Sequence, residues 1–243
     1  MPGAHEVISR KLGAHSRLDT EDIAALGGLT FTVRRLGANE EFARQGDKPT
    51  MAALVLEGWV VRYHTLPGGK RQYLSFHMTG DMPDAQTLFI ERMDHAVCAL
   101  GEAEVACIPH EEILRMFEKR PSVGIAIWRE TLLDAAIFRE AITSNGSRTV
   151  LARMAHLFCE LYYRARVAGL TRPGSFHIPI HQGQIGDALG MSIVTVNRTL
   201  QALRRTDAME FRNGMLTVRD WKRLTEIAGF DPAYLHLKRP SRL

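Results

Sequence analysis

The residues best placed to do chemistry lie in one run, HIPIHQGQIGDALGMSIVTVNRTLQALRR, residues 177 to 205. The spacing of its apolar residues predicts two short helices. Gln182–Leu189 would form the first, with Ile185, Ala188 and Leu189 turned inward. Gly190 would supply an unstrained tight turn. Ser192 would cap the second helix, in which Val196, Leu200 and Leu203 face a core. The outward residues near the start of that helix are Ile193, Val194, Thr195, Asn197 and Arg198. A short helix, a glycine turn and a second helix with a polar outer face have the spacing of a DNA-binding helix-turn-helix. Such a helix fits the major groove, where each base pair shows its own pattern of donors and acceptors.

The residues just after the run strengthen this reading. Arg204 and Arg205 extend the basic surface, and Met209–Arg212, Asn213-Gly214 and Met215–Val218 then read as a hairpin. A hairpin behind the second helix predicts a winged helix. Charge agrees. Residues 147–243 carry 15 Lys and Arg against 7 Asp and Glu, whereas residues 1–146 carry 16 against 20. A basic C-terminal part joined to an acidic front is the electrostatic footprint of a nucleic-acid-binding domain attached to something else.

The elements that must position this site are legible upstream. After a short helix from about Thr20 to Leu26, with Thr20 as its N-cap, the sequence turns strand-like. Strands are predicted at Leu29–Val33, Ala52–Leu56, Trp59–His64, Gln72–Phe76, Ala96–Leu100 and Glu104–Ile108, with turns at Glu57-Gly58, Pro67-Gly68-Gly69 and Gly80-Asp81. Short strands so spaced imply an antiparallel sandwich or barrel-like roll. A short helix His110–Arg120 leads to a longer one that starts at Pro121 and breaks at Ser144-Asn145-Gly146. In it Ile125, Trp128, Leu132 and Ala135 repeat at the three-and-four spacing of a helix seam, and Ile142 continues it past the polar Arg139. These five residues suit either a dimerisation helix or a helix packed on its own domain. A further helix spans roughly 147–168, with Val150, Leu151, Met154, Leu157, Phe158 and Leu161 on one face.

The expected class is therefore α+β, in three parts: a β-roll over 1–120, a linker and dimerisation helix over 121–146, and a winged helix-turn-helix over 147–243. No run of about 18 apolar residues predicts a membrane span. The polar N-terminus lacks a signal-peptide core, which predicts a cytoplasmic protein. Three separated cysteines, Cys98, Cys107 and Cys159, give neither a disulfide framework nor a metal-ligand spacing, and read as buried structural thiols.

Two stretches carry a resemblance to a known family. LEGWVVRYHTLPGGKRQYLSFHMTGD in the roll and IGDALGMSIVTVNRTLQAL in the helix-turn-helix resemble regulators of the Crp/Fnr superfamily. The tail GMLTVRDWKRLTEIAGFDPAYLHL looks like that of its FixK-like branch. The resemblance implies a cyclic-nucleotide-binding-like roll and a homodimer that reads a palindromic DNA site, with RNA polymerase as protein partner. It implies phosphate contacts from Ser192, Thr195 and the helix start at His181, Gln182 and Gly183. It also implies a guanine contact from Arg198, a bidentate pairing that discriminates bases by roughly 1–3 kcal/mol. Ile193 and Val194 stand where the best-known members of the family have charged or polar base-readers. These side chains could touch thymine methyls or leave recognition to Asn197 and Arg198.

An effector pocket is implied as well, and here too the sequence departs. Nucleotide-binding members place a glutamate on the ribose and an Arg-Ser or Arg-Thr pair on the phosphate. The matching positions are Ala85 and His95-Ala96, and the polar contacts of the long helix fall on Phe138 and Arg139. Without the arginine the forked, charge-assisted phosphate contact is missing, so cyclic AMP is not the expected effector. No cofactor is expected: an iron–sulfur cluster needs several close cysteines, and none precedes Cys98. Two other classes stay open at this point: a metal-binding barrel enzyme using His64, His77 or His95, and a cyclic-nucleotide receptor. The first lacks a paired-histidine ligand spacing, and no nucleophile and base stand together for catalysis.

Overall fold

The computed structural model describes residues 3–237. Contacts divide the chain into two compact units, Met1–Ala135 and Ala136–Leu243. The first contains α1 (Ala4–Gly13), α2 (Thr20–Gly27), β1 (Thr32–Leu36), β2 (Glu41–Ala43), β3 (Met51–Glu57), β4 (Trp59–Thr65), β5 (Arg71–Met78), β6 (Ala96–Ala99), β7 (Ala103–Pro109), α3 (His110–Lys119) and most of α4 (Pro121–Ser147). The strands form a three-stranded sheet, β1-β7-β3, and a four-stranded sheet, β2-β6-β4-β5, with every pairing antiparallel. This is the antiparallel roll the sequence predicts.

Alternation along β3 and β7 explains how the roll is filled. Ala53, Val55, Val105 and Cys107 enter a core with Val60, Val97 and Ala99 of the second sheet. Their neighbours Ala52, Leu54, Ala106 and Ile108 face the other way, into a core with Val7, Ile8, Leu12, Val123 and Ile127 of the helices. Both faces of the small sheet are therefore buried, which is why these strands read as near-continuous apolar runs.

Several elements differ from expectation. Helix α1 is not predicted by the sequence pattern, yet Val7, Ile8 and Leu12 lie on one helical face and are fully buried. The cap of α2 is Asp19, not Thr20. Asp19 accepts from the Asp22 backbone and Asp22 returns the bond, a carboxylate capping box. Strand β1 begins at Thr32 rather than Leu29, because Leu29 still bonds back to Leu26 and packs with the helices. The short β2 is also unforeseen. Helix α4 runs through Ser144-Asn145-Gly146 to Ser147. An internal glycine costs a helix about 1 kcal/mol but does not forbid it. Ser144 is buried, and Arg153 caps the carbonyl of Asn145. The break falls instead at Arg148-Thr149, where Thr149 caps α5 (Val150–Val167).

The second unit continues with β8 (Ser175–His177), α6 (Gln182–Leu189), α7 (Ile193–Arg205), β9 (Met209–Arg212), β10 (Met215–Val218) and α8 (Trp221–Ala228). Its sheet has the order β8-β10-β9. Among the described residues no helix is long and apolar enough to cross a membrane.

Candidate nucleic-acid interface

Helices α6 and α7 occupy the predicted ranges. Gly190 adopts φ 64°, left-handed backbone that ends α6 without strain. Ser192 caps α7 by accepting from the Thr195 backbone at 3.2 Å, and its hydroxyl meets that of Thr195 at 2.9 Å. Val196, Leu200 and Leu203 are buried, as are Ile185 and Leu189, whereas Ala188 is only half-buried. The two helices touch closely where Gly186 approaches the turn. A Cβ there would lie 2.6 Å from the Met191 carbonyl, which belongs to the residue whose N–H bonds Gly186 at 2.9 Å.

The outer face of α7 is available. Ile193 is 58% and Val194 59% exposed, and Ser192 and Arg198 are exposed or half-exposed with them. Thr195 and Asn197 lie at its flanks. Arg198 makes no hydrogen bond or ion pair among the described residues. Its neighbours are engaged: Arg204 pairs with Glu210 at 3.2 Å, and Arg219 with Asp207 and Glu210. Among the described residues Asp207 and Glu210 thus engage Arg204 and Arg219 and leave Arg198 of α7 without a partner.

At the start of α6, His181 is the N-cap. Its Nδ1 accepts from the Gln184 backbone at 3.3 Å, while Gln184 Oε1 accepts from the His181 backbone at 2.9 Å. In the neutral ring this puts the hydrogen on Nε2, an exposed donor. Gln182 and Gly183 are half-buried beside it. The wing turns at Asn213 and Gly214, both at positive φ (50° and 75°), as a two-residue hairpin of this type requires. Exposed Arg212 stands at the wing, a candidate contact that the sequence pattern shows only as the end of a strand.

In the roll the effector positions are filled by the chain itself. Ala85 starts a single 3-10 turn and is buried, as are His95 and Ala96. Phe138 is half-buried and Arg139 lies in the second unit with it. Sequence reasoning misses Arg62. It is 1% exposed on β4, and its guanidinium donates to the Pro83 carbonyl, to Asp134 of α4 and to Gln86 at 3.2 Å. Pro83 and Gln86 flank Ala85, so the buried arginine lies at the effector positions and its partners are protein groups. His95 is held by Asp94 at 2.5 Å. Burial first, then the charge of Arg62, pushes its pKa down. Buried His95 and Ala96 offer no guanidinium fork, so these positions do not fit a cyclic phosphate.

His64 bonds the Asp94 carbonyl at 3.0 Å and His77 bonds Ser75 at 2.8 Å, which are structural uses of both rings. Among the described residues no group of three or more His, Cys, Asp or Glu could hold a metal. On α4 the seam residues Ile125, Trp128, Leu132 and Ile142 are exposed, at 67%, 48%, 51% and 74%, and Ala135 is half-buried.

Comparison with known proteins fits this anatomy. Residues 33–120 match the cyclic nucleotide-binding domain and residues 152–227 the Crp-like helix-turn-helix domain. The transcriptional activator protein FnrL of Cereibacter sphaeroides is 29% identical over 226 residues, 89% of this chain and 88% of its own. The nitrogen fixation regulation protein FixK of Bradyrhizobium diazoefficiens is 27% identical over 214 residues, 88% of each chain. The structure of FixK2 from Bradyrhizobium japonicum superposes with a TM-score of 0.75 at 22% identity, covering 84% of this chain and all of the other. A roll of this kind in one chain with a winged helix-turn-helix defines a DNA-binding transcription regulator. The chain thus carries the cyclic nucleotide-binding and Crp-like helix-turn-helix domains of Crp/Fnr regulators.

Proposed function

We propose that the protein acts as a cytoplasmic homodimer whose two α7 helices enter successive major grooves, about one helical turn apart, on a palindrome-like site. The observation that carries this reading is the capped α7, whose outer face presents an unpaired Arg198 between exposed neighbours. Arg198 reads a guanine; Ser192, Thr195, His181, Gln182 and Gly183 hold the phosphates; Asn197 completes the face. Ile125, Trp128, Leu132, Ala135 and Ile142 of α4 form the seam, since four of them would otherwise leave large apolar side chains in water. RNA polymerase is the expected protein partner, because FnrL is named a transcriptional activator. No enzymatic step is assigned to the chain.

The roll works without a cyclic nucleotide. Arg62, bound to Asp134, Gln86 and the Pro83 carbonyl, links the sheet to the long helix from within. Site selection from random DNA with the purified protein tests the reading, with affinity then measured on the best site and on unrelated DNA. Arg198→Ala should weaken the specific complex by about 1–3 kcal/mol and the non-specific one far less. Equal loss on both DNAs would sink the base-reading role. Calorimetric titration with cyclic AMP and cyclic GMP should show no saturable heat.

A further inference from the structure

We infer that Ile193 and Val194 are specificity-determining residues that read the C5-methyl groups of thymines beside the guanine bound by Arg198. The inference rests on the DNA-binding role proposed above and names what this part of the interface selects.

Two β-branched aliphatic residues stand at the first two positions of α7, each more than half exposed, on a helix that is otherwise polar outside. Local structure does not call for them. Valine and isoleucine are below-average helix formers, and the capping bonds belong to Ser192 and Thr195. Nothing in their own unit covers them, although Val196, close by in sequence, is fully buried. At the 3.6-residue period, Ile193, Val194, Asn197 and Arg198 share the outer face, opposite Val196, Thr199, Leu200 and Leu203.

Pushed into a major groove, this face has one sensible apolar counterpart. Every base edge there offers hydrogen-bond donors or acceptors, and the thymine C5-methyl is the groove's apolar group. An aliphatic side chain set against a donor or acceptor strips its water and returns no bond, at a cost of about 1–3 kcal/mol. Against a methyl it exchanges two hydrated apolar surfaces for a contact. Ile193 and Val194 therefore favour A·T pairs by attraction and disfavour the other pairs by desolvation. Position comes from helix geometry. Four residues separate Val194 from Arg198, about 6 Å along the axis, or roughly two base-pair steps at 3.4 Å each. The selected thymines should lie within about two base pairs of the guanine in each half-site.

The test replaces thymine by deoxyuridine, which removes the methyl and leaves every hydrogen-bonding group in place. On the site selected by the wild-type protein, each thymine is exchanged in turn and affinity is measured. One or two positions per half-site should lose about fourfold, the value expected for about 0.8 kcal/mol per buried methyl-sized group. Ile193→Ala and Val194→Ala should each remove the loss at the position that side chain reads, and the double variant should remove it at every position. Arg198→Ala should keep the sensitivity at lower overall affinity. Both alanine variants keep the fold, since the replaced side chains are exposed and alanine favours helix. A selected site indifferent to uracil at every position overturns the inference while leaving the DNA-binding role intact. Failure to enrich any site would instead remove the role on which it rests.

Discussion

Gly186 offers the sharpest test of how the reading head is built. Alanine there would place its Cβ 2.6 Å from the Met191 carbonyl oxygen and 3.5 Å from a Val196 methyl. The first distance is several tenths of an ångström inside contact, and the obstacle is backbone. The turn cannot simply retreat, because the Met191 N–H is bonded to the Gly186 carbonyl at 2.9 Å. Overpacking of this kind costs about 1–3 kcal/mol, and weakening the bond adds up to about 1 kcal/mol. Alanine's better helix propensity returns about 1 kcal/mol. The net is about 2 kcal/mol, and a domain of this size then melts roughly 8 °C lower. Displacing α7 from α6 should also cost specific DNA affinity. Gly146→Ala in α4 is the control, since a Cβ there meets nothing within 4 Å. The assays are thermal unfolding and binding to the selected DNA site. A Gly186→Ala protein that melts within about 1 °C of wild type and binds that site normally would refute the close-approach argument.

Three further outcomes are expected. Burial and the Arg148 charge, opposed by Glu140, push His156 down to about 4, while the unfolded ring titrates near its ordinary 6.5. Its neutral form thus gives stability that is complete above pH 6.5 and lost as pH falls towards 4, by up to about 3 kcal/mol. His156→Phe, which keeps an aromatic ring against Tyr234 and Phe230, should flatten that part of the urea-unfolding profile; an unchanged slope would contradict it. Asp134→Ala, which strands a buried arginine, should destabilise the roll by about 2–4 kcal/mol, and Arg62→Met in the same protein should recover most of that; failure of the second change to rescue would show that the pair is not the cause. Leu132→Glu should halve the mass seen by sedimentation, and a persistent dimer would move the seam elsewhere.

The reading head is legible in the sequence almost to the residue: α6, α7 and both wing strands start and stop where caps, Gly190 and Asn213-Gly214 say they should. Local chemistry decides those boundaries, so sequence carries them. Elements fixed by distant partners are harder. Helix α1 hides a three-residue apolar face among polar neighbours, and β2 is three residues whose identity as a strand depends on pairing with β6. The glycine near the end of α4 looks like a stop, but burial of Ser144 and the Arg153 bond to the Asn145 carbonyl outweigh it. Arg62 is hidden for a related reason. An arginine inside a strand reads as solvent-facing until its partners, 21 to 72 residues away, are brought together.

The three thiols have a practical consequence. Burial raises the pKa of all three, that of Cys98 to about 11 even with Arg71 nearby, so little of any is thiolate at neutral pH. Towards maleimides and other alkylating labels the folded chain should behave as though it had no cysteine. A single cysteine placed on an exposed surface position could then carry a fluorophore or spin label on the native background. The response of such a label to DNA becomes measurable without first rebuilding the core.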